Sequence, residues 1–130
     1  MSKSRLILIV EDNDSFRLLV HHLLSKDYVV VSKGNGIAAT QWLFEGNIPD
    51  LILLDLEMPE MSGIDFLEGL RSSGFCRNIP VIIISGNDSK SFFNRTLPRV
   101  QHFFEKPFDP QKLQEKIQHL LADSSAIGVS

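Results

Sequence analysis

Apolar residues along this chain follow two rhythms. Leu6–Val10, Leu51–Leu54 and Val81–Ile84 are unbroken apolar runs closed by charged or turn residues, the pattern of strands buried on both faces of a parallel sheet. Tyr28 to Val31, mostly β-branched, and Gln101 to Glu105 predict two further strands. Between the runs the spacing becomes helical. Behind Asp14 as cap, Phe16, Leu19, Val20, Leu23 and Leu24 recur at a 3.6-residue period. The Gly34-Asn35-Gly36 turn opens a helix from about Ile37 to Glu45, with Trp42 and Phe44 available for packing, and Gly46 and Pro49 end it. Ile64, Leu67 and Leu70 predict a third helix ending near Gly74, and a weak fourth over Ser89 to Leu97 takes Asn87 or Asp88 as cap and stops by Pro98. Asp109 and Pro110 open the last helix, with Leu113, Ile117, Leu120 and Leu121 on one face, and the tail after Ala122 is expected to fray.

Five strands alternating with five helices predict an α/β domain, (βα)5, whose right-handed crossovers place helices on both faces of a parallel sheet. One domain over residues 1–122 is expected, with a tail over 123–130, and no repeat or linker divides it. Open sheets of this kind keep their ligand sites at the carboxyl ends of the strands. Here that edge gathers Glu11 and Asp12, Asp55, Ser85 and Lys106, residues far apart in sequence.

Carboxylates crowded together repel one another unless a cation intervenes. An all-oxygen set of Glu11, Asp12 and Asp55 suits a hard divalent ion, and Mg2+ before others, because it binds through one or two carboxylates and keeps several waters. Lys106 supplies an ammonium and Ser85 a hydroxyl able to meet an oxyanion. A carboxylate nucleophile, a metal, a cation and a donor are the parts of phosphoryl transfer.

Composition narrows the function classes. At 130 residues, 43% hydrophobic and 22% charged, the chain is of ordinary globular make-up. A net charge of -3, from 13 basic and 16 acidic residues, argues against direct nucleic-acid binding. The single Cys76 cannot form an internal disulfide, which fits a reducing compartment. The apolar run Leu6–Val10 is too short for a signal peptide or a membrane span, so a soluble cytoplasmic protein without membrane insertion is expected. His21 and His22 are consecutive on a helix and are read as solvated rather than as a metal pair. His102 and His119 lack ligand-type neighbours, Trp42 reads as core, and Cys76 has no catalytic partner in view.

With Ile9-Val-Glu-Asp12, Leu53-Leu-Asp-Leu-Glu-Met-Pro-Glu-Met-Ser-Gly63, Ile83-Ile-Ser-Gly86 and Phe103-Phe-Glu-Lys-Pro-Phe108 in order along the chain, it resembles a response-regulator receiver domain of two-component signalling, of the chemotaxis-regulator kind. The resemblance spans about Ser4 to Leu121 and implies a flavodoxin-like sheet of strand order 2-1-3-4-5. It implies that Asp55 accepts a phosphoryl group from a phosphohistidine on a sensor histidine kinase or histidine phosphotransfer protein. Mg2+ (or Mn2+) would be held by Asp12, Asp55 and the backbone carbonyl of Glu57, with Glu11 acting through water. Ser85 and Lys106 would hold the phosphoryl oxygens, and Phe103 would swing inward as Ser85 follows the phosphate. That motion would alter a face of the fourth helix, fifth strand and last helix, which meets a downstream protein target. The implied protein is not an enzyme with an external substrate; it promotes only its own phosphorylation and dephosphorylation.

Some positions depart from the family pattern. Gly86 stands where alanine is common, Glu57 and Asn87 occupy positions that tune phosphate loss, and Pro98-Arg-Val-Gln-His102 is an unusual approach to the fifth strand. Phe92 and Phe93 beside Arg95 and Arg99 form a candidate partner face. The alternative function is a phosphorylation-independent interaction module on the same fold. Enzyme readings are weaker: Glu11-Asp-Asn-Asp14 would repel an anionic flavin cofactor, and Asp55-Leu-Glu57 lacks the second aspartate of haloacid-dehalogenase-type phosphatases.

Overall fold

The computed structural model describes residues 4–58, 61–74, 76–86 and 100–129, with side chains up to residue 122 in the last stretch. Five strands, β1 (Leu6–Val10), β2 (Val29–Lys33), β3 (Leu51–Leu54), β4 (Val81–Ser85) and β5 (Val100–Glu105), form one parallel sheet in the order β2-β1-β3-β4-β5. Four helices are described: α1 (Asp14–Leu24), α2 (Gly36–Phe44), α3 (Gly63–Ser72) and α4 (Pro110–Val129). This is the expected α/β arrangement and strand order.

The period-two alternation of side chains along a strand divides the core into two layers. Leu8, Val10, Ile52, Leu54, Val81 and Ile83 face α2 and α3, packing with Ala39, Leu43, Phe66, Leu67 and Leu70. Ile7, Ile9, Leu51, Leu53, Ile82 and Ile84 face α1 and α4, against Val20, Leu24, Leu113 and Ile117. β1, β3 and β4 are buried on both faces, as their unbroken apolar runs require.

Several local expectations are corrected. The cap of α1 is Asn13, not Asp14: Asn13 has extended backbone angles and its side chain accepts from the Phe16 N–H at 2.8 Å, while Asp14 is already helical and pairs with Arg17. Leu19 is 63% exposed, because the buried face is set by Val20 and Leu24 and a neighbouring helix position points about 100° away. Phe44, at the last turn of α2, is 76% exposed, whereas Trp42 packs half-buried on the α2/α3 layer. β2 lies later than the β-branched run, at Val29–Lys33, because its ladder with β1 runs on to Val10↔Lys33 despite the polar Ser32 and Lys33. His21 is not simply solvated; its Nδ1 lies 3.0 Å from Ser32 Oγ. The backbone of α4 is helical to Val129, beyond the expected end near Ala122. Cys76 is buried in the α2/α3 layer. The predicted helix over 89–97, its caps Asn87 and Asp88, and the candidate face of Phe92, Phe93, Arg95 and Arg99 lie outside the described residues.

Candidate functional site

The carboxyl edge of the sheet is built by ladder hydrogen bonds that continue one residue past each strand. Glu11 N donates to Lys33 O at 3.0 Å, Asp55 N to Val10 O at 3.0 Å, and Lys106 N to Ser85 O at 2.8 Å. Parallel register thus sets Glu11, Asp55, Ser85 and Lys106 side by side. Their direction follows from the alternation: Glu11, Asp55 and Lys106 continue the parity of the α1/α4 layer, whereas Ser85 continues that of the α2/α3 layer.

Asp55 is 4% exposed. Its Oδ1 accepts from Ser85 Oγ at 3.0 Å and from Glu57 N at 3.1 Å, while its Oδ2 lies 3.8 Å from Lys106 Nζ. Ser85 is fully buried. Glu11, 3% exposed, is held by Lys106 Nζ at 2.9 Å on Oε1 and by the Asn13 N–H at 3.1 Å on Oε2. Burial pushes the Glu11 carboxyl up to about 7, against the opposing pull of the Lys106 and Asn13 hydrogen bonds and with help from the charge on Asp55. Asp12 is exposed at the mouth, and the Glu57 side chain is exposed beside the same loop.

Two glycines shape the loops. A Cβ on Gly63 would stand 2.5 Å from both the Asp55 carbonyl oxygen and Leu56 Cα, and the Gly63 N–H donates to Leu56 O at 3.0 Å. Only glycine lets the start of α3 press this closely on the strand end that carries Asp55. At Gly86 a Cβ would meet Glu57 Oε1 at 3.2 Å, so the absence of alanine there leaves room for the Glu57 side chain.

Glu11, Asp12 and Asp55 each offer one carboxylate oxygen such that all three lie within 4.8 Å of one another, the one metal-capable cluster of three among the described residues. Three hard oxygen donors, one at the solvent edge and two buried, fit an Mg2+ ion that retains waters. His102 and His119 belong to no such cluster; His102 lies under α4, where burial and then Lys116 lower its pKa.

Side chains with no expected role at this edge complete the site. Phe16, read as a packing residue of α1, has Lys106 Nζ 4.4 Å from its ring centroid, and Phe108 meets it edge to face at 5.6 Å. Arg17 Nη1 donates to Glu11 O at 2.9 Å, tying the start of α1 to the end of β1. Helical periodicity marked Phe16 as apolar, but nothing in the sequence foretold its contact with Lys106 or that of Arg17 with the Glu11 carbonyl.

The sequence profile of the response regulator receiver domain family matches residues 7–118. The chain belongs to the response regulator receiver domain family. Its relatives lie in longer signalling proteins and in single receivers alike. A rice protein (Oryza sativa subsp. indica), two-component response regulator-like PRR73, is 37% identical over 91% of this chain, yet this chain spans only 16% of that relative's length. Chemotaxis protein CheY1 of Helicobacter pylori is 30% identical over 88% of this receiver domain and 95% of its own length. Among solved structures, the receiver domain of sensor histidine kinase PA1611 from Pseudomonas aeruginosa, with a magnesium ion coordinated in its active-site cleft, superposes with a TM-score of 0.82. It is 25% identical, covering 92% of this chain and 99% of that one. Among the described residues of this receiver domain no helix is long and apolar enough to cross a membrane.

Proposed function

We propose that this receiver domain takes a phosphoryl group onto Asp55 from a phosphohistidine on a sensor histidine kinase or histidine phosphotransfer protein. The observation that carries this reading is the Asp55 carboxylate itself: buried, with donors from Ser85 and Glu57 on one oxygen and the Lys106 ammonium beside the other. An Asp55 oxygen attacks phosphorus as the P–N bond breaks, and the histidine nitrogen leaves with the bonding pair and recovers a proton from solvent. Asp12, Asp55 and the Glu57 carbonyl, with Glu11 acting through water, would hold Mg2+, which would supply charge neutralisation at the phosphoryl oxygens. The magnesium site of the PA1611 receiver supports this choice of ion.

Ser85 and Lys106 then turn from the carboxylates to the new phosphoryl oxygens. A phosphoryl group adds roughly 1.5 to 2 negative charges at neutral pH, by analogy with hydroxyl phosphates, enough to shift the balance between two packings of the β4 and β5 ends. Phe103, half-buried against the α2/α3 layer, is the aromatic that reports this shift to a downstream protein on the face of β5 and α4. In this reading the domain acts in the cytoplasm and turns over no external substrate.

Incubation with acetyl phosphate and Mg2+, followed by intact mass measurement, tests the reading. The wild type should gain one phosphoryl group and Asp55→Asn none. Because acyl phosphates hydrolyse readily, binding of beryllofluoride, a stable mimic, is measured alongside. A wild-type protein that forms no adduct with acetyl phosphate or partner kinase, and binds no beryllofluoride, would instead be a phosphate-independent interaction module.

A further inference from the structure

Lysine is a flexible four-carbon arm with a mobile point charge, so a site that relies on Lys106 must hold its ammonium in place. The two carboxylates hold it from one side, at 2.9 Å for Glu11 and 3.8 Å for Asp55. On another side stands the Phe16 ring, with its centroid 4.4 Å from Nζ. The distance lies within the range over which an aromatic face attracts a cation.

The ring is itself well anchored. Its backbone N–H is the one that the Asn13 cap binds, at 2.8 Å, and the next residue, Arg17, is fastened to the Glu11 carbonyl at 2.9 Å. Phe108 packs on it edge to face at 5.6 Å, and Phe104 backs Phe108 at 6.1 Å. A chain of three aromatic rings, from α1, the stretch after β5 and β5 itself, therefore runs beside the Lys106 side chain.

We propose that Phe16 is a positioning residue for Lys106, holding the ammonium between Glu11 and Asp55 so that it is already in place for an incoming phosphoryl oxygen. The role rests on the phosphoacceptor reading above. Phe16 touches neither the phosphoryl group nor the metal ligands' oxygens in this scheme; it acts through Lys106, and a purely packing side chain of similar volume would not replace it.

The test compares Phe16→Leu and Phe16→Met, which keep bulk but lose the ring, with Phe16→Tyr, which keeps it. In metal-free protein, the Lys106 Hε resonances, assigned by their loss in Lys106→Arg, should lie upfield of the other lysines in the wild type and F16Y. They should return to the ordinary lysine position in F16L and F16M. With Mg2+ present, the beryllofluoride concentration for half-saturation should rise about three- to tenfold in F16L and F16M and stay within about twofold of wild type in F16Y. Lys106 resonances that sit among the other lysines in the wild type overturn the proposal. So does unchanged beryllofluoride binding in folded F16L and F16M. A wild type that binds no beryllofluoride at all overturns the phosphoacceptor reading instead, a result distinguishable from the failure of Phe16 alone.

Discussion

Lys106 Nζ stands closer to Glu11, at 2.9 Å, than to Asp55, at 3.8 Å. The ammonium's first partner in the resting protein is thus the carboxylate that is not proposed to accept phosphate. Glu11 can be given up to the metal or stripped of this ammonium only if its own burial remains tolerable. That makes its protonation the natural place to look for pH dependence.

Burial raises the Glu11 carboxyl from 4.5 to about 7 in the folded chain. Between those values the native state binds more protons than the unfolded one, so stability falls as pH rises. The contribution is whole below about 4.5 and is lost as pH passes through about 7. In thermal melts of metal-free protein between these limits, the stability of wild type relative to Glu11→Gln should decline with pH, by on the order of 1 to 3 kcal/mol. A flat difference would mean that Glu11 is ionised throughout. Mg2+ affinity should rise over the same interval, since ligands must shed their protons.

Gly63 and Gly69 lie in one helix and should respond to alanine with opposite signs. At Gly63 the new Cβ would sit 2.5 Å from backbone atoms of Asp55 and Leu56, which cannot rotate away. Gly63→Ala should cost about 2 to 4 kcal/mol in urea unfolding and weaken metal binding, because the displaced strand end carries Asp55. At Gly69 a Cβ meets nothing within 4 Å, so Gly69→Ala should stabilise by about 0.5 to 1 kcal/mol. Equal effects at the two sites would contradict the packing described for the start of α3.

Removing the buried Ser85 hydroxyl takes one of two short donors from Asp55 Oδ1 and leaves the Glu57 N–H. Ser85→Ala is expected to lower apo stability by about 1 kcal/mol. It should weaken beryllofluoride binding by about tenfold or more, since a hydrogen bond to a charged group is worth more than a neutral one. Titration followed by amide NMR reads both the affinity and the intactness of the fold. Wild-type affinity in S85A would remove Ser85 from the phosphoryl-binding set.

The Asn13 side chain caps α1 while its backbone N–H holds Glu11. Asn13→Ala should therefore cost about 1 kcal/mol through the cap alone and spare the Glu11 contact. Asn13→Ser, which restores a capping oxygen, should recover most of the loss. A cost that serine does not relieve would assign Asn13 some role other than capping.

Much of this protein was legible along the chain. The apolar runs at Leu6–Val10, Leu51–Leu54 and Val81–Ile84 announce doubly buried strands because no polar face interrupts them. A strand's last residue is also a fact of sequence, so the gathering of Glu11, Asp55, Ser85 and Lys106 at one edge followed once the sheet was taken as parallel. Tertiary structure alone decided how those side chains divide among partners. Lys106 settles on Glu11, and Ser85 reaches Asp55 from the opposite layer, because register and side-chain parity, not spacing in the chain, set which atoms touch. The same holds for Phe16: helical periodicity marks it as apolar, but only the packing of α1 against the end of β5 brings its ring to the Lys106 ammonium. Local pattern fixes which way a residue faces within its own element, whereas contacts between elements depend on where the whole chain comes to rest.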